Sequence, residues 1–243
     1  MVKQLILRRQ DLITNPAARI PVCLVLDCSP SMSGETRYGS AVQQINPRPI
    51  DELNDGVDLF FSEVKQDELA QYSCEVAVVA FSEEAEAMQD FDSILRVSPP
   101  RMDLALSGGG TSIGRAVKLA ISMLDRRKEE YKDAGVDYFQ PWMVLMTDGY
   151  PTDDTHLEVS REVAARVNQK KLHVFAIGIG RGADMQVLSM FSPKFKPLKL
   201  QGLRFKEFFV WLSRSVSVVS QSMPGEKIQL DVEGVKTWAD LET

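Results

Sequence analysis

Four short apolar runs punctuate the chain, separated by stretches in which apolar side chains return every three to four residues. Pro21-Val22-Cys23-Leu24-Val25-Leu26-Asp27 is continuous, rich in β-branched residues and closed by a polar turn. A run of this length without alternation predicts a strand covered on both faces. Cys74 to Phe81, Trp142 to Thr147 and Leu172 to Gly178 read the same way. Between them, Leu53, Val57, Phe60, Phe61 and Val64 fall on one helical face. So do Ile113, Ala116, Val117, Ala120, Ile121 and Leu124, and again Phe205, Phe208, Phe209, Leu212, Val216 and Val219. Thr155-His156-Leu157-Glu158 has the form of a capping box opening a helix that carries Val159, Val163 and Val167. Strand and helix in alternation predict an α/β fold: a doubly wound, mostly parallel central sheet flanked by helices on both faces, in one domain over residues 20–222. An N-terminal extension (1–19) precedes it, and a tail (223–243) follows the Pro224-Gly225 break. Thr36 to Arg48 is polar, with scattered Gly, Asn and Pro, and reads as a loop inserted into the pattern.

Composition narrows the function classes. The 243 residues are 44% hydrophobic and 26% charged, enough to bury a core without covalent staples. Lys plus Arg (28) against Asp plus Glu (34) gives −6, which argues against nucleic acid as the partner. The densest basic run, Arg126-Arg127-Lys128, sits between Asp125 and Glu129-Glu130 and reads as self-neutralising. Three cysteines (Cys23, Cys28, Cys74) suit neither a disulfide scaffold nor a structural zinc site, and point to a reducing compartment. The apolar runs fall short of the ~20 residues a membrane span needs. The expectation is a cytoplasmic protein. With only His156 and His173, histidine-based catalysis has little to work with.

In open α/β sheets, ligands bind beyond the carboxyl ends of the strands. There the sequence places Asp27-Cys28-Ser29-Pro30-Ser31, then Gly108-Gly109-Gly110-Thr111-Ser112 before a helix, then Thr147-Asp148-Gly149-Tyr150-Pro151-Thr152-Asp153-Asp154. These loops offer carboxylates and small hydroxyls without imidazole or thiolate, a donor set suited to a hard cation, above all Mg²⁺. Asp153 and Asp154 read as caps for the helix that follows them. Cys28 reads as a buried filler, His173 as a satisfied core or edge histidine, and His156 as exposed.

Asp27-x-Ser29-x-Ser31, the Thr111 of a Gly-Gly-Thr loop, and Asp148 in a Thr-Asp-Gly turn together resemble the metal-ion-dependent adhesion site (MIDAS) of von Willebrand factor A (VWA) domains. The likeness covers roughly Ile20 to Ser220. Within that family, Ser31-Met32-Ser33-Gly34-Glu35, Gly-Gly-Thr-Ser and Thr-Asp-Gly-x-Pro-Thr-Asp-Asp resemble bacterial TerY/YegL-type proteins. The resemblance implies a Rossmann-like fold and a metal held by Asp27, Ser29, Ser31, Thr111 and Asp148. Ser29, Ser31 and Thr111 are then hydroxyl ligands, and the two aspartates bind directly or through water. The implied cofactor is Mg²⁺, with Mn²⁺ or Ca²⁺ as substitutes. The implied function is capture of a partner's Asp or Glu carboxylate, without catalysis, in a stress-response or tellurium-resistance setting where such domains accompany a kinase and a PP2C-like phosphatase. Two departures stand out. Pro30 occupies the place between the serines that usually holds Gly, and residues 36–48 separate Gly34-Glu35 from Pro49-Ile50, where the related chains run on directly. The insertion is expected near the rim of the metal site. Two other readings remain: a metal-dependent phosphohydrolase of the haloacid-dehalogenase kind, which would need a second Asp where Ser29 stands, and a scaffold whose metal site Pro30 leaves distorted and empty.

Overall fold

The computed structural model describes residues 12–38, 41–104, 109–180, 182–231 and 234–241. Its strands are β1 (Ile20–Asp27), β2 (Glu35–Tyr38), β3 (Ala41–Gln44), β4 (Cys74–Phe81), β5 (Ala85–Ser93), β6 (Trp142–Thr147), β7 (His173–Gly178), β8 (Leu198–Leu200) and β9 (Ala239–Leu241). Its helices are α1 (Pro49–Gln66), α2 (Ala70–Ser73), α3 (Ile113–Ala134), α4 (His156–Asn168), α5 (Met185–Phe191) and α6 (Phe205–Ser220). The main sheet runs β5-β4-β1-β6-β7-β8-β9, with the five inner strands parallel and both edge strands antiparallel. The α/β expectation is met. All four apolar runs are inner strands of this sheet.

Every residue of β1 is buried, because the strand lies at the centre of two cores. Val22, Leu24 and Leu26 face α1 and α6, packing with Val57, Phe60, Phe208, Phe209 and Leu212. Cys23 and Val25 face α3, α4 and α5, packing with Val117, Ala120, Val163 and Leu188. The chain leaves β1 toward β4 on one side and later comes back to pair β6 on the other. Right-handed crossovers in opposite directions put their helices on opposite faces. The carboxyl end of β1 is therefore the switch point, where the flanking connections diverge and a crevice opens.

Local signals explain the helix ends. α1 begins with Pro49 at its first position, where a fixed φ and a missing N–H cost nothing, and Asp51 and Glu52 in its first turn complement the helix dipole. α3 ends on Gly135 at φ 67°, a left-handed C-cap.

Two expectations are revised, and the tail, on whose docking the sequence is silent, takes a definite place. The insertion 36–48 is not simply a loop: Glu35–Tyr38 and Ala41–Gln44 pair as an antiparallel two-stranded sheet, and its base is fastened where the Ile45 amide donates to the Gly34 carbonyl (2.9 Å). The tail docks. Its Trp238 is 2% exposed, β9 adds to the sheet edge beside β8, and the Trp211 indole donates to the Asp231 carbonyl (2.8 Å). The Thr155 capping box does not form. Thr155 Oγ1 donates to Asp153 Oδ2 (2.5 Å) rather than accepting from its own helix.

A buried ionic cluster lies at the opposite end of the sheet from the crevice. Glu75, at the start of β4, accepts from Arg127 Nε (2.6 Å) and Nη2 (2.8 Å), from the Tyr131 hydroxyl (2.6 Å) and from Arg19 Nε (3.2 Å). All four side chains are buried. Arg127 belongs to the run that reads in sequence as self-neutralising; in space its main partner is Glu75, with Glu130 bridging as well. Arg19 also donates to the Ala17 and Asn15 carbonyls, which fastens the segment entering β1.

Candidate metal centre

β1 and β6 are in parallel register up to Leu26 opposite Met146. The next residues, Asp27 and Thr147, end their strands side by side, and Thr147 Oγ1 donates to Asp27 Oδ2 (2.5 Å). The other carboxylate oxygen of Asp27 accepts the Ser29 amide (2.8 Å), folding the chain into an Asx turn just past the strand. Pro30 through Ser33 then form a single 3-10 turn, with Met32 pinned in the core and Gly34 closing it at φ 72°. Pro30 stands at the first position of that turn, where its fixed φ is the φ required. The distortion that Pro30 threatened in sequence does not occur, since no residue between Asp27 and Ser33 takes a positive φ.

The turn presents Ser29 and Ser31 together, with their hydroxyls 2.9 Å apart, and Ser31 Oγ donates to Asp148 Oδ1 (2.7 Å). Thr111 is held above them by a clamp. Its amide donates to Thr152 Oγ1 (2.8 Å), and its carbonyl accepts the Thr152 amide (3.0 Å). Its own hydroxyl makes no hydrogen bond among the described residues, although Thr111 is only 5% exposed. A Cβ added to Gly149 would lie 3.1 Å from that oxygen, so the hydroxyl borders the turn that carries Asp148. All five residues singled out in the sequence (Asp27, Ser29, Ser31, Thr111 and Asp148) thus belong to three loops that meet at one end of β1 and β6.

The electrostatics are those of a site built for positive charge. Burial raises the Asp27 carboxyl above its usual range, against hydrogen bonds from Ser29 and Thr147 that oppose the rise. Burial and then the Asp27 charge push Asp148 up to about 6, with the Ser31 hydrogen bond opposing. Two carboxylates crowded in a low-dielectric pocket are offset by a dication. Among the described residues no group of three His, Cys, Asp or Glu side chains converges anywhere, so hydroxyls complete the donor set here. Two carboxylates with three hydroxyls fit Mg²⁺ or a similar hard cation. Cys28 is buried against Phe81, and burial followed by the Asp27 charge pushes its thiol up to about 12, so it is a filler and not a thiolate ligand.

Sequence reading missed the residues that hold the loops in place. Asp153 does not cap the helix that follows it. It reaches back to the N-terminus of α3, accepting from the amides of Gly114 (3.3 Å) and Arg115 (3.1 Å). Those are among the amides a helix start leaves unpaired. Gly114 is required there, because a Cβ would stand 2.4 Å from both Asp153 Oδ2 and Thr155 Oγ1. Thr152 and Asp153 therefore lock the Asp148 loop to the Thr111 loop. Thr147 could have been found by continuing the β1–β6 register one residue; the Asp153 contact has no sequence signal. His156 is half-buried, its Nδ1 2.6 Å from the Asp153 carbonyl. His173 differs from expectation too: its Nδ1 is buried without a hydrogen-bond partner. A groove of about 340 Å³ between α6 and the tail, floored by Trp211 and Trp238, includes none of the candidate metal-site residues.

Comparison with known proteins agrees with this fold. The family model of the von Willebrand factor type A domain matches residues 22–197. The chain belongs to that family. Among solved structures it is similar to the pilus adhesin SpaC of Lactobacillus rhamnosus GG (16% identity, TM-score 0.62, covering 83% of this chain and 31% of that one). It is also similar to BatB of Bacteroides thetaiotaomicron (16%, TM-score 0.56, covering 84% of this chain and all of that one). A third is proximal thread matrix protein 1 of the mussel byssus, determined with a zinc-occupied MIDAS motif (19%, TM-score 0.51, covering 84% of this chain and 48% of that one). The chain spans about half or less of the length of the adhesin and the byssus protein. At these identities the likeness establishes the fold. A search of the curated proteins finds no match. VWA domains often carry a divalent metal at the MIDAS. None of the described helices is long and apolar enough to cross a membrane.

Proposed function

We propose that this VWA domain is a divalent-cation-dependent protein-binding module that captures a partner's Asp or Glu carboxylate and catalyses no reaction. The observation that carries the reading is the convergence of Asp27, Ser29, Ser31 and Asp148 in one hydrogen-bonded set, beside a Thr111 hydroxyl that makes no hydrogen bond among the described residues and borders the turn that holds Asp148. Ser29, Ser31 and Thr111 would hold the ion through neutral oxygens, while Asp27 and Asp148 would offset its charge. When bound, the cation supplies a position on which an incoming carboxylate can sit. Asp27 positions the serine turn through its bond to the Ser29 amide, and Thr147 fixes the Asp27 rotamer. Ser31 is exposed, so the centre is open on the side from which a partner arrives. Mg²⁺ is the favoured ion by donor chemistry; Mn²⁺ or Ca²⁺ could replace it.

The biological setting we infer is that of a TerY/YegL-type protein. The support is the Ser-Met-x-Gly-Glu, Gly-Gly-Thr-Ser and Thr-Asp-Gly-x-Pro-Thr-Asp-Asp segments, which suggest a cytoplasmic bacterial stress or tellurium-resistance system with a kinase and a PP2C-like phosphatase as associates. The test is capture from native lysate by wild type and Asp27→Ala, each in Mg²⁺ and in EDTA. A partner retained only by wild type in Mg²⁺ supports the reading. A partner retained in all four conditions removes the metal from the mechanism. Mg²⁺-dependent turnover of a generic phosphoester, lost in Asp27→Ala, would replace binding with hydrolysis.

A further inference from the structure

Charge is sorted across the sheet. Residues 51–95, which build most of α1, then α2, β4 and β5 at one edge, contain thirteen Asp and Glu against Lys65 alone. Residues 163–206, which build the end of α4, then β7, α5 and β8 toward the other edge, contain nine Lys and Arg against Asp184 alone. The two flanks differ in how that charge is matched. Seven of the thirteen acids stand in ion pairs with cations from outside their segment, Arg48 on Asp51 (2.7 Å) and Arg126 on Asp90 (2.5 Å) among them. On the basic flank, Arg166 pairs with Asp125 and Glu162, Lys206 pairs with Asp55, and Lys199 lies opposite Asp240 in the β8–β9 register. Asp184 is occupied in capping α5. Lys170, Lys171 and Lys194 are exposed and form no ion pair among the described residues. Lys171 borders Asp125, but Lys128 (2.7 Å) and Arg166 (2.8 Å) already match that carboxylate.

These three lysines meet at the end of α4. The helix closes in a Schellman turn, with the Lys170 amide on the Val167 carbonyl (3.1 Å) and the Lys171 amide on the Arg166 carbonyl (2.9 Å). Lys194 Nζ arrives from the α5–β8 loop and donates to the same Val167 carbonyl (2.8 Å). The turn holds Lys170 at φ 57°, the only positive φ outside glycine among the described residues and a place where glycine is the default. The dipole of α4 favours positive charge at this end, but Lys194 already meets it and it calls for no side chain at position 170. Next to Lys194, the Phe195 ring is 41% exposed. It is fixed in place: its carbonyl accepts from Ser192 Oγ (2.6 Å), and its ring lies against His173 (5.8 Å) and Phe175 (5.6 Å).

A held aromatic beside unmatched cations is a recognition surface for apolar and negative groups together. We infer that this corner docks an acidic segment of a partner protein, its Asp and Glu side chains pairing with Lys170, Lys171 and Lys194 while an apolar side chain packs on Phe195. A second copy of the chain is a poor complement, because much of its acidic flank is matched by its own arginines. A nucleic-acid backbone or an anionic bilayer extends beyond three lysines and would also meet the rest of the chain, where 33 acidic residues face 19 basic ones. The corner is separate from the candidate metal centre. His173 pairs with Trp142 at the start of β6, whereas Gly178 pairs with Thr147 at its end, beside the metal loops. The inference therefore does not rest on the reading of that centre.

The experiment titrates the full chain into a labelled peptide of Asp and Glu around a central Leu and follows fluorescence anisotropy, at low and high salt, in Mg²⁺ and in EDTA. The same titration is run with the Asn and Gln counterpart of the peptide, with a DNA duplex and with phosphatidylserine vesicles, and the chain alone is sedimented. The expected result is saturable binding of the acidic peptide that weakens with salt, ignores EDTA and falls by about tenfold in Lys170→Gly/Lys171→Ser/Lys194→Gln. Glycine suits φ 57°, so Lys170→Gly alone should weaken binding while its urea midpoint stays level or rises, which separates a lost contact from a lost fold. Acidic-peptide binding that is absent, or unchanged in the triple variant, overturns the site. Binding abolished by EDTA moves the peptide to the metal centre and overturns it too. Equal binding of the Asn and Gln peptide, tighter binding of the duplex or the vesicles, or salt-sensitive self-association of the chain lost in the triple variant overturns the assigned occupant.

Discussion

Ser31 and Asp148 are 117 residues apart in sequence, yet Ser31 Oγ donates to Asp148 Oδ1 over 2.7 Å and joins the loop after the first strand to the loop after the sixth. One hydroxyl therefore fixes the angle of a carboxylate, and in the proposed centre it is also a ligand. Losing a partner that orients a metal ligand commonly costs 10–100-fold in affinity, and a ligand at least as much. Ser31→Ala is expected to weaken Mg²⁺ or Mn²⁺ binding by roughly tenfold or more while leaving the denaturant midpoint in EDTA nearly unchanged, because Ser31 is exposed. Calorimetric titration with Mn²⁺ checks the first part. Unchanged affinity would remove Ser31 from the ligand set.

Thr147→Val separates stability from metal binding. The change keeps the shape but deprives the buried Asp27 carboxylate of a donor, so about 1–3 kcal/mol of stability is expected to go in EDTA. Urea unfolding with and without Mg²⁺ measures both. The metal-dependent gain in midpoint should also fall.

Glu75 holds two buried arginines and a tyrosine. Removing it leaves those charges buried and unmatched, which typically costs about 3–5 kcal/mol. Glu75→Ala is expected to lose that much by urea unfolding, or to fail to accumulate as folded protein. The cluster lies at the far end of the sheet, so any folded fraction should bind Mn²⁺ normally.

His173 resists protonation in the folded chain. Burial, followed by the Lys194 charge, depresses it to about 4 from an ordinary value of 6.5, and its Nδ1 has no acceptor to share a proton with. Between those two values the unfolded chain binds a proton that the folded chain refuses. Stability from this group therefore falls as pH drops from about 6.5 toward 4. His173→Phe should flatten that limb of a urea-midpoint profile against pH relative to wild type. Identical profiles would show that His173 carries no such penalty.

Much of the architecture could be read directly. Four of the five inner strands, β1, β4, β6 and β7, announce themselves as unbroken apolar runs because both faces are buried, and α1, α3 and α6 announce themselves by the stripe each turns inward. The three loops of the candidate site are legible for the same reason: strand ends in such sheets face the crevice, and small oxygen-bearing residues with glycines recur there. Edge elements were not legible. β5 is largely exposed along its first half and carries no apolar run, β9 is three residues long, and the β2–β3 hairpin is mostly polar, with Val42 its one large aliphatic residue. Their pairing is set by neighbours rather than by their own composition.

The sequence by itself determined the α/β class and pointed to the loops that carry Asp27, Ser29, Ser31, Thr111 and Asp148, which the fold gathers at the ends of β1 and β6. These depend on local period and on residue chemistry. Only the tertiary structure decided that Pro30 suits its turn, that Asp153 caps α3 and not the helix after it, that Arg127 pairs mainly with Glu75, and that the tail closes the sheet through Trp238. Each of these joins residues far apart in the chain or hangs on one backbone angle. Contacts of that kind follow from how the layers pack, and no local pattern of side chains encodes them.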